Sequence, residues 1–129
     1  MQYKSLGRTG LQVSGIAFGT DNFLDPTSEE ESTKMLEIAI DAGINLIDTG
    51  DVYAGGEAEK MIGRALKKLG RRNDILISTK VDHGMSIPGK SLDDYAPKNK
   101  PNTHGLSKAN IIRACENSLK SFHTDHIDI

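Results

Sequence analysis

The stretch INLIDTGDVY, residues 44–53, decides the fold, because it runs from an apolar segment with strand character into Asp48 and then, five positions later, into Tyr53. A second stretch, ILISTK at residues 75–80, ends in the same way at Lys80. If both apolar runs are neighbouring parallel strands, Asp48 and Lys80 lie at one carboxyl-terminal sheet edge, where α/β proteins place their chemistry. Tyr53 is close enough in sequence to reach over that edge. The sequence therefore predicts a site that combines a carboxylate, an ammonium and a phenol.

A helix is predicted before the first of these strands, over about residues 29–42. Ser28 followed three residues later by Glu31 fits a capping box, in which each side chain accepts a hydrogen bond from the other residue's backbone N–H. Gly43 ends the helix, as glycine commonly does. The predicted inner face of this helix carries Met35, Ile38, Ala39 and Ala42.

Two more helices are predicted, over about residues 57–69 and 108–121, the second with Ser107 as its cap. The predicted apolar faces are Met61, Ile62, Ala65, Leu66 and Leu69 in the first of them and Ile111, Cys115, Leu119 and Phe122 in the second. Cys115 is therefore expected to be a buried, unreactive thiol.

The remaining segments extend a repeating pattern. Residues 3–13, YKSLGRTGLQV, contain the glycine turn of a β-hairpin. Residues 16–18 form a short apolar strand, and residues 126–129 are typical of the opening of one more strand. Residues 82–106 are a long loop with prolines and glycines, and a loop of that length is usually functional or mobile.

The order hairpin, β, α, β, α, β, long loop, α, β favours a parallel sheet with right-handed crossovers. A doubly wound sheet and a β/α barrel share this order, but neither G-x-G-x-x-G nor G-x-x-x-x-G-K-[ST] occurs to favour the former. A barrel needs eight units in roughly 250 residues. The 129 residues hold three units and the start of a fourth. We therefore expect an α/β fold, the amino-terminal half of a (β/α)8 TIM barrel with an N-terminal β-hairpin, incomplete at the fourth strand and forming one partial domain over 1–129.

The charge balance excludes several classes of protein. The chain has 16 Lys and Arg against 18 Asp and Glu, scattered without a basic stripe, so neither nucleic acid nor a membrane surface is an expected partner. No apolar run approaches the length of a membrane span, and the first ten residues lack the apolar core of a signal peptide. The single cysteine forms no internal disulfide and leaves no cysteine cluster for zinc. A cytoplasmic protein that acts on small molecules is expected.

Several other polar residues have ordinary explanations. Asp51 and Glu59 are interpreted as loop or helix-start carboxylates, and residues 71–72, both arginine, as a solvated connection. His83 and His104 flank the long loop, where solvated histidines are common. Taken singly, the aspartate, lysine and tyrosine of the predicted site would have equally ordinary explanations, and it is their combination that indicates chemistry.

Four segments, in this order, resemble the aldo-keto reductases: YKSLGRTGLQVSGIAFGT at 3–20, AIDAGINLIDTGDVYAGGEAEKMIGRAL at 39–66, ISTKV at 77–81 and GLSKANIIRACENSLKSFHTDHIDI at 105–129. The resemblance runs in register over nearly the whole chain. That family is a (β/α)8 barrel closed at the bottom by an amino-terminal hairpin. Its members mostly reduce aldehydes and ketones with NADPH, without a metal.

The resemblance implies a role for each candidate site residue. Tyr53 takes the position of the proton donor, Lys80 that of the lysine beside it, and Asp48 that of the aspartate that pairs with the lysine. Gly19 and Thr20, together with Asp48, fall near the place where the family holds the nicotinamide of NADP(H). The implied function is reduction of aldehyde or ketone carbonyls to alcohols.

The resemblance also marks departures and alternatives. The family's catalytic histidine and main cofactor loops fall beyond Ile129, and Ala54 stands where glycine is usual. We therefore expect this chain by itself to be inactive and to associate through exposed sheet edges. A second interpretation is a regulatory barrel that binds the cofactor with slow turnover or none, as channel-associated members of the family do.

Overall fold

The fold is known from a computed structural model that describes residues 1–81 and 102–129. Most of the predicted loop at 82–106 therefore lies outside the described residues. The chain alternates strands and helices as predicted. The elements are β1 Tyr3–Ser5, β2 Gln12–Ser14, β3 Phe18–Gly19, α1 Glu29–Asp41, β4 Leu46–Asp48, α2 Glu57–Leu69, β5 Leu76–Ser78 and α3 Lys108–Phe122.

The strands form two small sheets. β1 and β2 pair antiparallel as the predicted hairpin, whereas β3, β4 and β5 pair parallel in that order. The carboxyl ends of the parallel strands are level, because Gly19 pairs with Asp48 and Asp48 pairs with Ser78. One end of the sheet therefore carries the last residues of all three strands.

The final residues lie beside β5. The backbone N–H groups of Asp128 and Ile129 donate to the carbonyl of Ile77, each at 3.1 Å, and the N–H of Thr79 donates to the carbonyl of Ile129 at 3.2 Å. This is the hydrogen-bond pattern of a parallel neighbour. The segment predicted to open a strand therefore extends the sheet on the far side of β5.

Helix α2 buries the face that the sequence predicts. Met61, Ile62, Ala65 and Leu66 belong to the hydrophobic core, and Leu69 packs against it. Gly63 lies on the same face, where the backbone of Phe122 in α3 approaches it closely. The two helices are therefore in close contact.

The predicted inner face of α1 is confirmed at Ala39 and wrong at Met35 and Ile38. The helix starts with the predicted capping box at Ser28, but its buried residues are Ser32, Leu36, Ala39 and Ile40. Met35 and Ile38 are 45% and 59% exposed. The helix carries two adjacent apolar stripes, and the one that contains Leu36 and Ile40 meets the core.

The predicted inner face of α3 is confirmed at Phe122, which belongs to the core, and is wrong at Ile111 and Cys115. Its buried residues are Asn110, Ser118 and Phe122, whereas Ile111 is 43% exposed and Cys115 is exposed. Apart from Phe122, the buried side chains of α3 are polar and of small or medium size, and the two helices are in close contact. Cys115 is therefore not the buried thiol that the helical spacing predicts.

Arg72 also differs from its prediction as a solvated residue. Its guanidinium donates to the carbonyls of Ile75 at 2.7 Å and His126 at 2.8 Å, and to the hydroxyl of Thr124 at 3.1 Å. It also pairs with Asp128 at 3.2 Å, and both side chains are largely buried. Arg72 therefore holds the end of the chain against β5.

Candidate active site

The ends of β4 and β5 bring Asp48 and Lys80 together. Lys80 Nζ lies 2.9 Å from Asp48 Oδ1 and 2.8 Å from Oδ2, and it donates to the carbonyl oxygen of Thr49 at 2.6 Å. Because β4 and β5 are parallel and in register, Asp48, the last residue of β4, and Lys80, two residues beyond β5, reach the same edge. The ammonium is therefore held by three acceptors at the carboxyl end of the sheet.

Tyr53 lies over this ion pair. It begins a short 3₁₀ turn, Tyr53–Gly56, and its ring centroid is 5.4 Å from Lys80 Nζ. The ring packs against Gly50, where an added Cβ would lie 3.3 Å from Tyr53 Cε1. The phenol is thus placed against the ammonium by the tight turn that follows β4.

The turn has an unusual backbone. Ala54 adopts the left-handed conformation, with φ of 49° and ψ of 36°, and Gly55 and Gly56 also have positive φ values. Glycine adopts this conformation freely, whereas an alanine does so at a cost. The left-handed turn directs the chain from Tyr53 into α2, so the tyrosine and the helix are positioned together.

The electrostatics of the site favour a charged lysine. Partial burial lowers the pKa of Lys80, but the hydrogen bond and the charge of Asp48 raise it, with smaller contributions from Tyr53. The net result is a pKa above the ordinary lysine value. Lys80 is therefore a stable cation beside the phenol near neutral pH.

Gly19 and Thr20 lie at the end of β3, beside Asp48. Gly19 is exposed, and an added Cβ there would have no atom within 4 Å, so open space lies before the backbone. Thr20 is buried, and its hydroxyl donates to the carbonyl of Asp48 at 3.1 Å. Thr20 thus ties β3 to β4, and its direct contact with a cofactor stays a prediction.

Glu59 is a residue of this region that the sequence analysis does not single out as buried. It is 3% exposed, and its Oε1 accepts a hydrogen bond from the hydroxyl of Thr79 at 2.8 Å. Burial raises the pKa of its carboxyl, and this effect outweighs the hydrogen bonds from Thr79 and Ser118, which lower the pKa. The helical spacing could have indicated this burial, because Glu59 shares a helical face with the apolar Ile62 and Leu66.

The histidines that the sequence singles out are not part of the site as described. His104 is an exposed residue before α3, and His83 lies outside the described residues. In residues 1–81 and 102–129, no three His, Cys, Asp or Glu side chains are grouped to hold a metal ion. Among the helices that the structure describes, none has the length and apolar character to cross a membrane.

Comparison with known proteins decides the family. The family model described as "Aldo/keto reductase family" matches residues 15–129, which contain Gly19, Thr20, Asp48, Tyr53 and Lys80. The chain belongs to the aldo-keto reductase family. The fold agrees, because a solved holo-form aldo-keto reductase from Bacillus halodurans superposes with a TM-score of 0.76 at 32% identity. That alignment covers 98% of this chain and 38% of the other, so the α/β fold described here corresponds to part of an aldo-keto reductase barrel.

Two relatives of known sequence extend the comparison. An Arabidopsis thaliana protein described as a "probable voltage-gated potassium channel subunit beta" is 39% identical over all of this chain and 36% of its own length. An aldo-keto reductase of Bacillus subtilis is 34% identical over all of this chain and 37% of its own length. This chain thus spans less than half the length of the aldo-keto reductase relatives it matches.

Proposed function

We propose that the protein is an NADPH-dependent oxidoreductase that reduces aldehyde or ketone carbonyls to alcohols. Tyr53 is the proton donor, and Lys80 and Asp48 assist it. The observation that carries this proposal is the Lys80 ammonium, which is paired with both oxygens of Asp48 and lies 5.4 Å from the ring centroid of Tyr53. Membership of the aldo-keto reductase family supports a nicotinamide-dependent reaction.

The residues suit the proton transfer of such a reduction. When bound, the nicotinamide supplies a hydride to the carbonyl carbon, which leaves negative charge on the oxygen. The Tyr53 hydroxyl then gives its proton to that oxygen, and a proton donor in reach contributes about 10²- to 10⁴-fold in rate. The phenolate that remains is stabilised by the Lys80 ammonium, since an adjacent opposite charge favours the ionised form. Asp48 keeps that ammonium charged and in place.

The edge beside Gly19 fits a flat cofactor ring. The backbone of Gly19 faces open space that a side chain at this position would partly fill. Gly19 also pairs in register with Asp48. We place the nicotinamide of NADP(H) there, against Gly19, Thr20 and Asp48. The choice of NADPH over NADH rests on the resemblance to the family.

We further propose that the protein acts in the cytoplasm on a small carbonyl substrate, without a nucleic acid or membrane partner. Its charges are balanced and scattered, which supports this proposal. Met35, Ile38 and Ile111 are exposed on the described surface. Such apolar side chains favour self-association of the chain wherever they are not covered by further protein.

A second candidate function is regulatory. The Arabidopsis thaliana and Oryza sativa relatives, at 39% and 37% identity, are both described as potassium channel subunits. In this alternative, the barrel binds the cofactor and reports its redox state with slow turnover or none. Cofactor binding with no turnover on a broad aldehyde panel would favour it over the reductase.

The test of the proposed function is the variant Tyr53→Phe in the full-length protein. We expect NADPH oxidation with aldehydes to fall by about 10²- to 10⁴-fold while NADPH binding is kept, because only the phenolic hydroxyl that carries the acidic proton is removed. Tyr3→Phe is the matched control, since the hydroxyl of Tyr3 donates to the carbonyl of Gly43 in the hairpin region, away from the site. Near-normal turnover in Tyr53→Phe would show that the tyrosine is not the proton donor.

A further inference from the structure

The carboxyl group of Glu59 joins three elements. It belongs to the first turn of α2, accepts the hydroxyl of Thr79 at the end of β5, and has a second hydroxyl partner, Ser118, on α3. The side chain is 3% exposed. Burying a carboxylate costs free energy unless the group is well hydrogen-bonded. If this side chain only filled space between the elements, an apolar residue would be more stable at this position.

The hydrogen bond from Thr79 acts on the residue directly before Lys80. The backbone N–H of Thr79 is held by the carbonyl of Ile129 at 3.2 Å, and the carbonyl of Lys80 accepts the N–H of Asp51 at 3.2 Å. The Thr79 hydroxyl connects this peptide to helix α2, through its hydrogen bond to Glu59. The main chain that carries Lys80 is therefore held from three directions.

We propose that Glu59 is a positioning residue for the Lys80 ammonium, which it holds in place beside Asp48 and Tyr53 through the hydroxyl of Thr79. This inference rests on the proposed function, in which the Lys80 ammonium must lie beside Tyr53 for proton donation. A misplacement of about 1 Å at a reacting centre can cost about 10²-fold in rate. The alternative is that Glu59 contributes only to the stability of the fold.

The surroundings of Glu59 guide the choice of variants. It lines a cavity of about 490 Å³ between α2 and α3, with Asp51, Lys60, Arg113 and Lys120 also at its walls. A substitution at Glu59 changes the charge of this cavity, whereas a substitution at Thr79 does not. Thr79→Val keeps the shape of the side chain and removes only the hydroxyl, and Thr79→Ser keeps the hydroxyl.

The test measures the Lys80 amine itself, by an NMR pH titration of ¹³C-labelled lysine in the full-length protein. We expect Thr79→Val to shift the pKa of Lys80 down toward the ordinary value of 10.5 and Thr79→Ser to restore it. With an aldehyde substrate, kcat of Thr79→Val should fall about tenfold or more while KM changes little. Glu57→Gln is the control, since Glu57 is an exposed residue of the same helical turn that pairs with Lys60.

A double-mutant cycle connects the effect to Glu59. Glu59→Leu should lower the pKa of Lys80 as Thr79→Val does, and the two changes together should produce no further shift, because they remove the same hydrogen bond. An unchanged Lys80 pKa in folded Thr79→Val, or additive shifts, would overturn the inference. The titration needs no turnover, so it decides the role of Glu59 even if Tyr53→Phe shows that the proposed reaction is wrong.

Discussion

Gly63 of α2 lies against the backbone of Phe122 at the end of α3, so closely that an added Cβ would be 2.7 Å from the Cα, carbonyl carbon and carbonyl oxygen of Phe122. Phe122 is buried, and its ring belongs to the core. The closest approach of the two helices is therefore possible only with glycine at position 63.

Gly63→Ala is expected to destabilise the protein by about 1–3 kcal/mol, because the extra methyl group overpacks a rigid contact. In an open helix the same change would stabilise by about 1 kcal/mol. The free energy of unfolding from chemical denaturation measures the effect. Lys67→Ala, an exposed change one turn later, should be nearly neutral, and an equal or higher stability of Gly63→Ala would contradict the close contact.

Ala54→Gly is expected to stabilise the protein by up to about 1 kcal/mol, because Ala54 is held in the left-handed conformation that glycine adopts freely. Thermal denaturation measures the change. Ala109→Gly is the matched control: Ala109 is an exposed residue in the first turn of α3, so glycine should destabilise there. Loss of stability in both variants would mean that the Ala54 turn carries no strain.

Asp48→Asn is expected to lower the pKa of Lys80, since the carboxylate supplies the hydrogen bond and the charge that raise it and burial alone would lower it. The raised pKa adds stability that is fully present below the ordinary value of 10.5 and is lost as the pH rises through the pKa of the folded state. The gain is small, because both side chains are 40% exposed or more. NMR titration of the lysine measures the shift.

The control for Asp48→Asn is Asp74→Asn, since Asp74 pairs with Arg71 on the exposed surface. It should leave the titration of Lys80 unchanged. If Asp48→Asn also leaves it unchanged, the ion pair at the strand ends does not persist in solution.

Glu59→Gln is expected to be more stable than the natural protein at pH 8, because burial raises the pKa of Glu59 and so disfavours its charged form. A raised carboxyl pKa adds stability below the ordinary value of 4.5, and this stability is lost as the pH rises through the folded-state value. The advantage of Glu59→Gln should therefore shrink as the pH falls toward 4.5. Denaturation of both proteins at several pH values checks this, and an advantage of Glu59→Gln that does not change with pH would contradict it.

Arg72→Ala is expected to cost about 1.5–3 kcal/mol, because it removes the partner of a largely buried carboxylate, Asp128, and several hydrogen bonds to the end of the chain. Arg71→Ala should cost at most about 1 kcal/mol, since its partners Asp41 and Asp74 are exposed. Urea denaturation of both variants compares the neighbouring arginines. Equal costs would mean that the contacts of Arg72 are as weak as those on the surface.

The features that depend on local pattern were predictable from the sequence. The apolar face of α2 and the capping box of α1 each follow from spacing along a single segment, and the parallel order of the strands follows from the alternation of strands and helices. The meeting of Asp48 and Lys80 follows as well, because both residues come at the ends of adjacent parallel strands. The position of Tyr53 depended on a turn whose left-handed backbone the sequence did not indicate.

The features that depend on packing between elements were missed. Helix α1 offers two apolar stripes, and only the sheet decides that Leu36 and Ile40, not Met35 and Ile38, are buried. The buried roles of Arg72 and Glu59 depend on partners more than 15 residues away in sequence, as with Thr79, which is 20 residues from Glu59. Spacing within one helix contains no information about such partners.

The hairpin of β1 and β2 lies at the opposite end of the parallel sheet from the candidate site. Tyr3 donates to the carbonyl of Gly43, and Asn45, directly before β4, exchanges hydrogen bonds with Ser14 and Gln12. The hairpin is therefore tied to the amino end of β4, whereas the candidate site lies at the carboxyl ends of the strands. The two ends of the sheet can therefore be altered independently. Substitutions at the amino end are suited to raising stability, and substitutions at the carboxyl end are suited to changing substrate preference.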